Sequence, residues 1–190
     1  MVRIAVLVAN KSEDIEVLAP IDIWRRSGFY VKMISVEKKK NIFLAHGNKI
    51  SCDDLLSNEN LSKYNAIYLP GGPGFQKFND VDAPRLIHFL QKFGNSPKIW
   101  FIACCAATII YGSLGMLEKA KATCYPNCGY ENSFKKNYVK DKAVVVDKNF
   151  ITANGPAAAI EFALTAVAHL GSRAKAEEIA KAILYKGKIG

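Results

Sequence analysis

Two adjacent cysteines, Cys104 and Cys105, end an apolar run, Ile99-Trp-Phe-Ile-Ala-Cys-Cys-Ala-Ala-Thr108, whose small residues then pass into a helical pattern. A strand turning sharply into a helix over small residues is a nucleophile elbow in outline. It lifts one side chain above the sheet and aims the following backbone N–H at a developing oxyanion. A thiol at the N-terminus of a helix is also expected to ionise more readily, giving a reactive thiolate. The plainer reading of the same residues is a pair of small buried hydrophobes, a common fate of free cysteine.

Other residues gain meaning if they converge on that thiol. Glu16 falls in the first turns of a helix, where it either favours the helix dipole in solvent or faces the sulfur. In a dry pocket beside a thiolate, desolvation and the neighbouring charge both raise the pKa of a carboxyl, so Glu16 could hold a proton and exchange it with substrate. Pro70-Gly71-Gly72-Pro73-Gly74 follows a short strand and is either a tight turn or a stretch of backbone able to approach a ligand and donate N–H groups. Asn154-Gly155-Pro156 either lines the rim of the pocket or merely starts a helix with proline in its first position. His46, His88 and His169 have no triad spacing, and no phosphate loop or dinucleotide fingerprint is present, so no cofactor is implied.

Positioning these groups requires alternating strands and helices. The β-branched apolar run 2–9 suits a central strand buried on both faces, and Ser12 can cap a helix that Gly28 closes, with Pro20 bending or breaking it. Strands are predicted at 30–36, 42–50, 66–69, 98–103, 122–124, 143–146 and 150–152. Helices are predicted at 82–93, from about 106, at 157–170 and at 173–184. The pattern predicts an α/β fold with a mainly parallel sheet covered by helices on both faces, and ligands bind such sheets beyond the carboxyl ends of the strands. The turns carrying Glu16, Gly71 with Gly72, and Cys105 all end there.

Composition narrows the function classes. With 190 residues, 50% of them hydrophobic, the chain has material for a core and reads as one domain over 1–190, with no repeat or linker dividing it. The longest uncharged run, 99–117, is interrupted by Gly, Ser and Thr and does not read as a membrane span. The N-terminal apolar run turns polar and acidic at 11–14, the wrong order for a signal peptide, so a cytoplasmic location is expected. Five cysteines, an odd number, argue for free thiols in a reducing compartment. Cys124 and Cys128 lack the histidines nearby that would make a zinc site, and no metal is expected. The net charge of +9 comes from 26 basic against 17 acidic residues. Its lysine clusters sit in separate turns without interleaved aromatics, so a solvated surface is favoured over nucleic-acid binding.

Taken together, Glu13-Asp-Ile-Glu16, Pro20-Ile-Asp-Ile-Trp-Arg-Arg-Ser-Gly28, Leu69-Pro-Gly-Gly72, Ile102-Ala-Cys-Cys-Ala-Ala107 and Gly155-Pro156 with Glu161-Phe-Ala-Leu164 resemble the ThiJ/PfpI superfamily, and within it the Parkinson disease protein 7 branch of deglycases and glyoxalases. The resemblance spans nearly the whole chain. It implies a flavodoxin-like three-layer sandwich, usually a homodimer paired through the first-helix region, where Ile15, Leu18, Ile21 and Trp24 share a face. It makes Cys105, which directly precedes Ala106-Ala107, the nucleophile and Glu16 its protonated neighbour. Gly72 and Ala106 would supply oxyanion N–H groups, with Gly71, Tyr125, Asn154, Gly155 and Pro156 around the substrate.

One departure stands out. Many relatives have a histidine where this chain has Tyr125 before Pro126, and a phenol is a poor general base near neutrality. The resemblance therefore implies a cysteine enzyme acting on dicarbonyls such as methylglyoxal, or a deglycase, more readily than a peptidase or amidase. A redox-sensing chaperone or signalling protein with an oxidisable Cys105 is the alternative.

Overall fold

The computed structural model of the chain describes residues 1–127 and 129–190. The first strand, β1 (Arg3–Val8), leads into α1 (Asp14–Arg26), β2 (Tyr30–Ser35), β3 (Asn41–Phe43), β4 (Lys49–Ser51), β5 (Asp54–Leu55) and β6 (Ala66–Leu69). Then come α2 (Pro84–Phe93), β7 (Trp100–Cys104), α3 (Thr108–Ser113), β8 (Val144–Asp147), β9 (Phe150–Ala153), α4 (Ala159–Leu170) and α5 (Arg173–Ala182). Seven strands form one sheet in the order β5-β2-β1-β6-β7-β9-β8, parallel throughout except that β8 runs antiparallel to β9. This is the expected α/β sandwich.

The two-residue period of β1 divides the core. Ile4, Val6 and Val8 face the layer that includes Trp24 of α1 and Phe162 of α4, while Ala5 and Leu7 face the layer that includes Leu86 of α2 and Tyr111 of α3. These five of the six β1 residues are fully buried, as a central parallel strand requires. None of the helices among the described residues is long and apolar enough to cross a membrane.

Several local expectations are corrected. Residues 42–50 are not one strand: polar Gly47-Asn48 lies mid-run, Gly47 has a φ of 90°, and β3 and β4 pair antiparallel outside the main sheet. Residues 122–124 contribute only an isolated bridge, Ala122 to Tyr138. The cap of α1 is Glu13, whose side chain accepts the Glu16 N–H at 2.7 Å, whereas Ser12 Oγ accepts the Ala9 N–H at 3.1 Å. At the far end Gly28 N–H donates to Arg25 O and Phe29 N–H to Trp24 O, a Schellman closure at the predicted glycine. Pro20 does not break α1, which runs through it.

Candidate active site

The carboxyl ends of β1, β6, β7 and β9 meet above the sheet. β7 ends at Cys104, and Cys105 opens a single 3-10 turn with φ of 57°. That left-handed backbone is unusual for a residue with a side chain and costs on the order of 1–3 kcal/mol. It turns the chain hard enough to leave the Cys105 sulfur near the backbone N–H groups of Ala106 and Gly72. Cys105 keeps 8% of its surface exposed, whereas Cys104 is fully buried with its S–H 3.6 Å from the Gly155 carbonyl.

Glu16 has no exposed surface. Its Oε2 accepts the Gly71 N–H at 2.7 Å, and its Oε1 has no hydrogen bond. The turn must be glycine at 71, because a Cβ there would lie 2.6 Å from Cys105 Cβ and 2.8 Å from Glu16 Oε2. At Gly72 the reason is different: φ is 79° and a Cβ would meet the Glu13 N at 2.5 Å.

Burial pushes the Glu16 carboxyl up to about 7; the Gly71 N–H pulls it back, the Glu13 charge adds to the rise, and the Cys105 and Cys104 thiols oppose it. Oε1, free of other partners, is the natural seat for the proton of the neutral acid.

The thiol runs against expectation. Burial, and then the Glu16 charge, push Cys105 up to about 12, although the Ala106 and Gly72 N–H groups favour its thiolate. Desolvation outweighs the dipole because α3 starts only at Thr108 and has six residues. The pair therefore accommodates one negative charge and resists two. A thiolate beside a neutral Glu16 escapes the second of these causes but not the first, burial, against which the Ala106 and Gly72 N–H groups act.

The remaining predicted residues divide. Tyr125 is 44% exposed, and its ring lies 3.7 Å from where a Gly155 Cβ would stand. The Asn154 N–H is committed to the Ala143 carbonyl, and Pro156 opens a 3-10 turn ahead of α4. Cys128 lies outside the described residues. On the first helix, Ile15 and Leu18 are 53% and 43% exposed, but Ile21 and Trp24 belong to the core, so the apolar face is narrower than its spacing suggests.

Two neighbours of the site escaped the sequence reading. Asp14 Oδ2 accepts the His46 backbone N–H at 2.9 Å and lies 3.1 Å from its Nδ1, while Oδ1 accepts from Asn48 at 2.6 Å, pinning the β3–β4 hairpin to the start of α1. Burial would raise the Asp14 carboxyl, yet these hydrogen bonds hold it below the usual range. Glu13, Asp14 and His46 offer ligand atoms within 4.8 Å of one another, but the Asp14 oxygens are already engaged by the hairpin. The second neighbour is Tyr68, whose hydroxyl donates to the Glu16 carbonyl at 2.7 Å. A tyrosine within the apolar strand 66–69 looks like core from sequence alone.

Comparison with known proteins gives a consistent result. The DJ-1/PfpI family matches residues 2–169. Protein DJ-1 homolog B of Arabidopsis thaliana is 31% identical over 189 residues, covering 99% of this chain and 42% of its own length. Protein dj-1beta of Drosophila melanogaster is 30% identical over 179 residues, covering 94% of this chain and 95% of its own. The oxidized DJ-1 of Toxoplasma gondii superposes with a TM-score of 0.88 at 32% identity, over 98% of this chain and 100% of that one. This chain thus spans less than half the length of the Arabidopsis protein.

Proposed function

This chain belongs to the DJ-1/PfpI family, and from that premise we propose that it is a cofactor-independent cysteine enzyme acting on reactive dicarbonyls. It converts methylglyoxal to lactate without glutathione, or removes the same adducts from glycated amines and thiols as a deglycase, protecting against carbonyl and oxidative stress. The observation that carries this reading is the pairing of a buried, proton-holding Glu16 with a sulfur on a strained turn.

Cys105 thiolate attacks the aldehyde carbon, and the new C–S bond leaves an oxyanion one atom from the sulfur, within the field of the Gly72 and Ala106 N–H groups. Glu16 supplies its proton to that oxygen, giving a hemithioacetal. As a carboxylate it then takes the proton from the former aldehyde carbon and, through an enediol, returns it to the neighbouring carbon. The result is a thioester of the hydroxy acid. Water hydrolyses it and restores the thiol, so aldehyde and ketone become acid and alcohol with no external oxidant. Tyr125 serves as a wall of the pocket, with Gly155 and Pro156 behind it.

The test is steady-state turnover of methylglyoxal without glutathione, with amides and glycated peptides assayed beside it. Cys105→Ser should abolish turnover, Glu16→Gln should lower it by about a hundredfold or more, and Cys104→Ser and Tyr125→Phe should retain most of it. Inactive wild-type protein, or loss at Cys104 in place of Cys105, would sink the mechanism. Exposed Ile15 and Leu18 support a homodimer through α1. A monomer at micromolar concentration in sedimentation would count against that.

A second reading has its own support. Cys105 alone of the two vicinal thiols reaches the surface, and its Toxoplasma gondii relative is described in an oxidized form. A neutral Glu16 could donate a hydrogen bond to a sulfinate at Cys105, which fits a redox-sensing chaperone or signalling role. Peroxide that inactivates turnover in proportion to Cys105 sulfinate, with gain of client binding, would favour it.

A further inference from the structure

Glu16 precedes Pro20 by four residues within α1. In an α-helix the carbonyl of residue i accepts the N–H of residue i+4, and proline has none to give. The backbone oxygen of the residue that carries the proton is thus denied its helical partner. α1 continues through Pro20, so no break in the helix relieves the loss, and Glu16 has no exposed surface through which bulk water could reach it. A buried carbonyl left in that state would be costly.

The missing bond comes from another element. Tyr68 Oη donates to the Glu16 carbonyl at 2.7 Å. Its ring is fully buried, meeting Trp24 edge-on with centroids 5.1 Å apart and Phe162 at 5.5 Å, so α1 and α4 together fix where the hydroxyl points. Burial, reinforced by the thiols and acids around it, holds the phenol well above its ordinary range, so the hydroxyl remains a donor.

Tyr68 lies in β6, and the loop leaving β6 supplies the Gly71 N–H to Glu16 Oε2. One strand and its loop therefore grip Glu16 at both ends, backbone carbonyl and carboxylate. β6 is also paired in register with β7, with Leu69 opposite Ala103, two residues before the nucleophile.

We propose that Tyr68 is a positioning residue: by supplying the hydrogen bond that Pro20 withholds, it ties α1 to β6 and sets where the Glu16 carboxyl meets Cys105. The inference rests on Glu16 as the proton carrier proposed above, but its test reads the thiol and not turnover.

Tyr68→Phe keeps the ring contacts and removes the donor. α1 then relaxes toward water, Glu16 ionises at lower pH, and its charge keeps Cys105 protonated to higher pH. The midpoint of the pH profile for iodoacetamide alkylation, followed by mass at Cys105, should rise by about one pH unit, with about tenfold slower labelling at pH 7. Pro20→Ala restores a backbone N–H four residues after Glu16. Combined with Tyr68→Phe, it should return both the alkylation profile and the urea midpoint toward those of the native protein. A native profile in Tyr68→Phe overturns the proposal. So does a double variant no closer to native than Tyr68→Phe in both measurements, including the case in which neither folds. If native protein turns over no dicarbonyl, the proposed reaction fails while these thiol readouts still decide the role of Tyr68. If turnover is normal and the double variant is not rescued, the positioning role alone fails.

Discussion

β7 and β9 lie side by side, with Cys104 opposite Ala153, and each runs into a three-residue 3-10 turn and then a helix. The two turns nevertheless use their residues in opposite ways. After β9, Gly155 has φ of 165° and ψ of −175°, extended backbone that any residue adopts. After β7, the left-handed position that suits glycine is given to Cys105, with φ of 57°. Of these two turns, only the one that carries a sulfur holds strained backbone. The helices differ too: α4 has 12 residues and α3 has six, so a helix dipole adds little at Cys105, whose sulfur lies near the Ala106 and Gly72 N–H groups.

The largest effect should come from the acid that faces the strained turn. Glu16 titrates near 7 in the folded chain against an ordinary value of 4.5, so its folded pKa is raised. For a raised pKa the contribution to stability is fully present below about 4.5 and is lost as pH rises through about 7. The span corresponds to about 3 kcal/mol. Glu16→Gln has no such titration, so the stability of wild type minus variant should fall by about that much between pH 4.5 and pH 8 in urea unfolding. A difference independent of pH would mean that Glu16 is solvated and that the two turns do not differ in the way described.

How much of this was legible in the sequence depends on whether neighbours in the chain or neighbours in space decide. The strand at 66–69, the Schellman glycine at Gly28 and the convergence of Glu16, Gly71 and Cys105 follow from local pattern plus the parallel-sheet rule, and all three stand in the fold. The direction of the Cys105 shift did not, because a helix-start argument contains no measure of burial or of the charge opposite. The β3–β4 hairpin was hidden by a pattern of apolar residues flanking Gly47-Asn48, where the turn outranked strand propensity. Tyr68 was hidden because its polar end matters only once Pro20 and Glu16 are seen across the helix from it.

Gly71 and Gly155 offer the next contrast. A Cβ at 71 would collide with Cys105 Cβ at 2.6 Å and with the Cys104 carbonyl at 2.9 Å, whereas at 155 the nearest atom is Tyr125 Cδ2 at 3.7 Å. Gly71→Ala should therefore lose about 1–3 kcal/mol through overpacking. It should also lose about a hundredfold in turnover, because Glu16 and Cys105 would be displaced from one another. Gly155→Ala should fold and turn over as wild type does. Equal losses at both positions in unfolding and kinetics would contradict the close approach at Gly71.

The smallest effect isolates the strain itself. Alanine and glycine at 105 both delete the sulfur, so comparing them removes the thiol chemistry and leaves the backbone. Left-handed geometry costs an alanine about 1–2 kcal/mol that glycine escapes, and glycine gives back about 0.5–1 kcal/mol through its more flexible unfolded chain. Cys105→Gly should thus be more stable than Cys105→Ala by up to about 1.5 kcal/mol. At 155, where the backbone is extended, only the unfolded-chain term operates, and Gly155→Ala should be neutral or more stable than wild type by about 0.4–1 kcal/mol. The signs are opposite at two turns with the same layout, which makes the pair of differences more telling than either alone. If alanine equals or exceeds glycine at 105 in denaturant unfolding, the elbow is not strained, and Cys105 would need another reason for standing where it does.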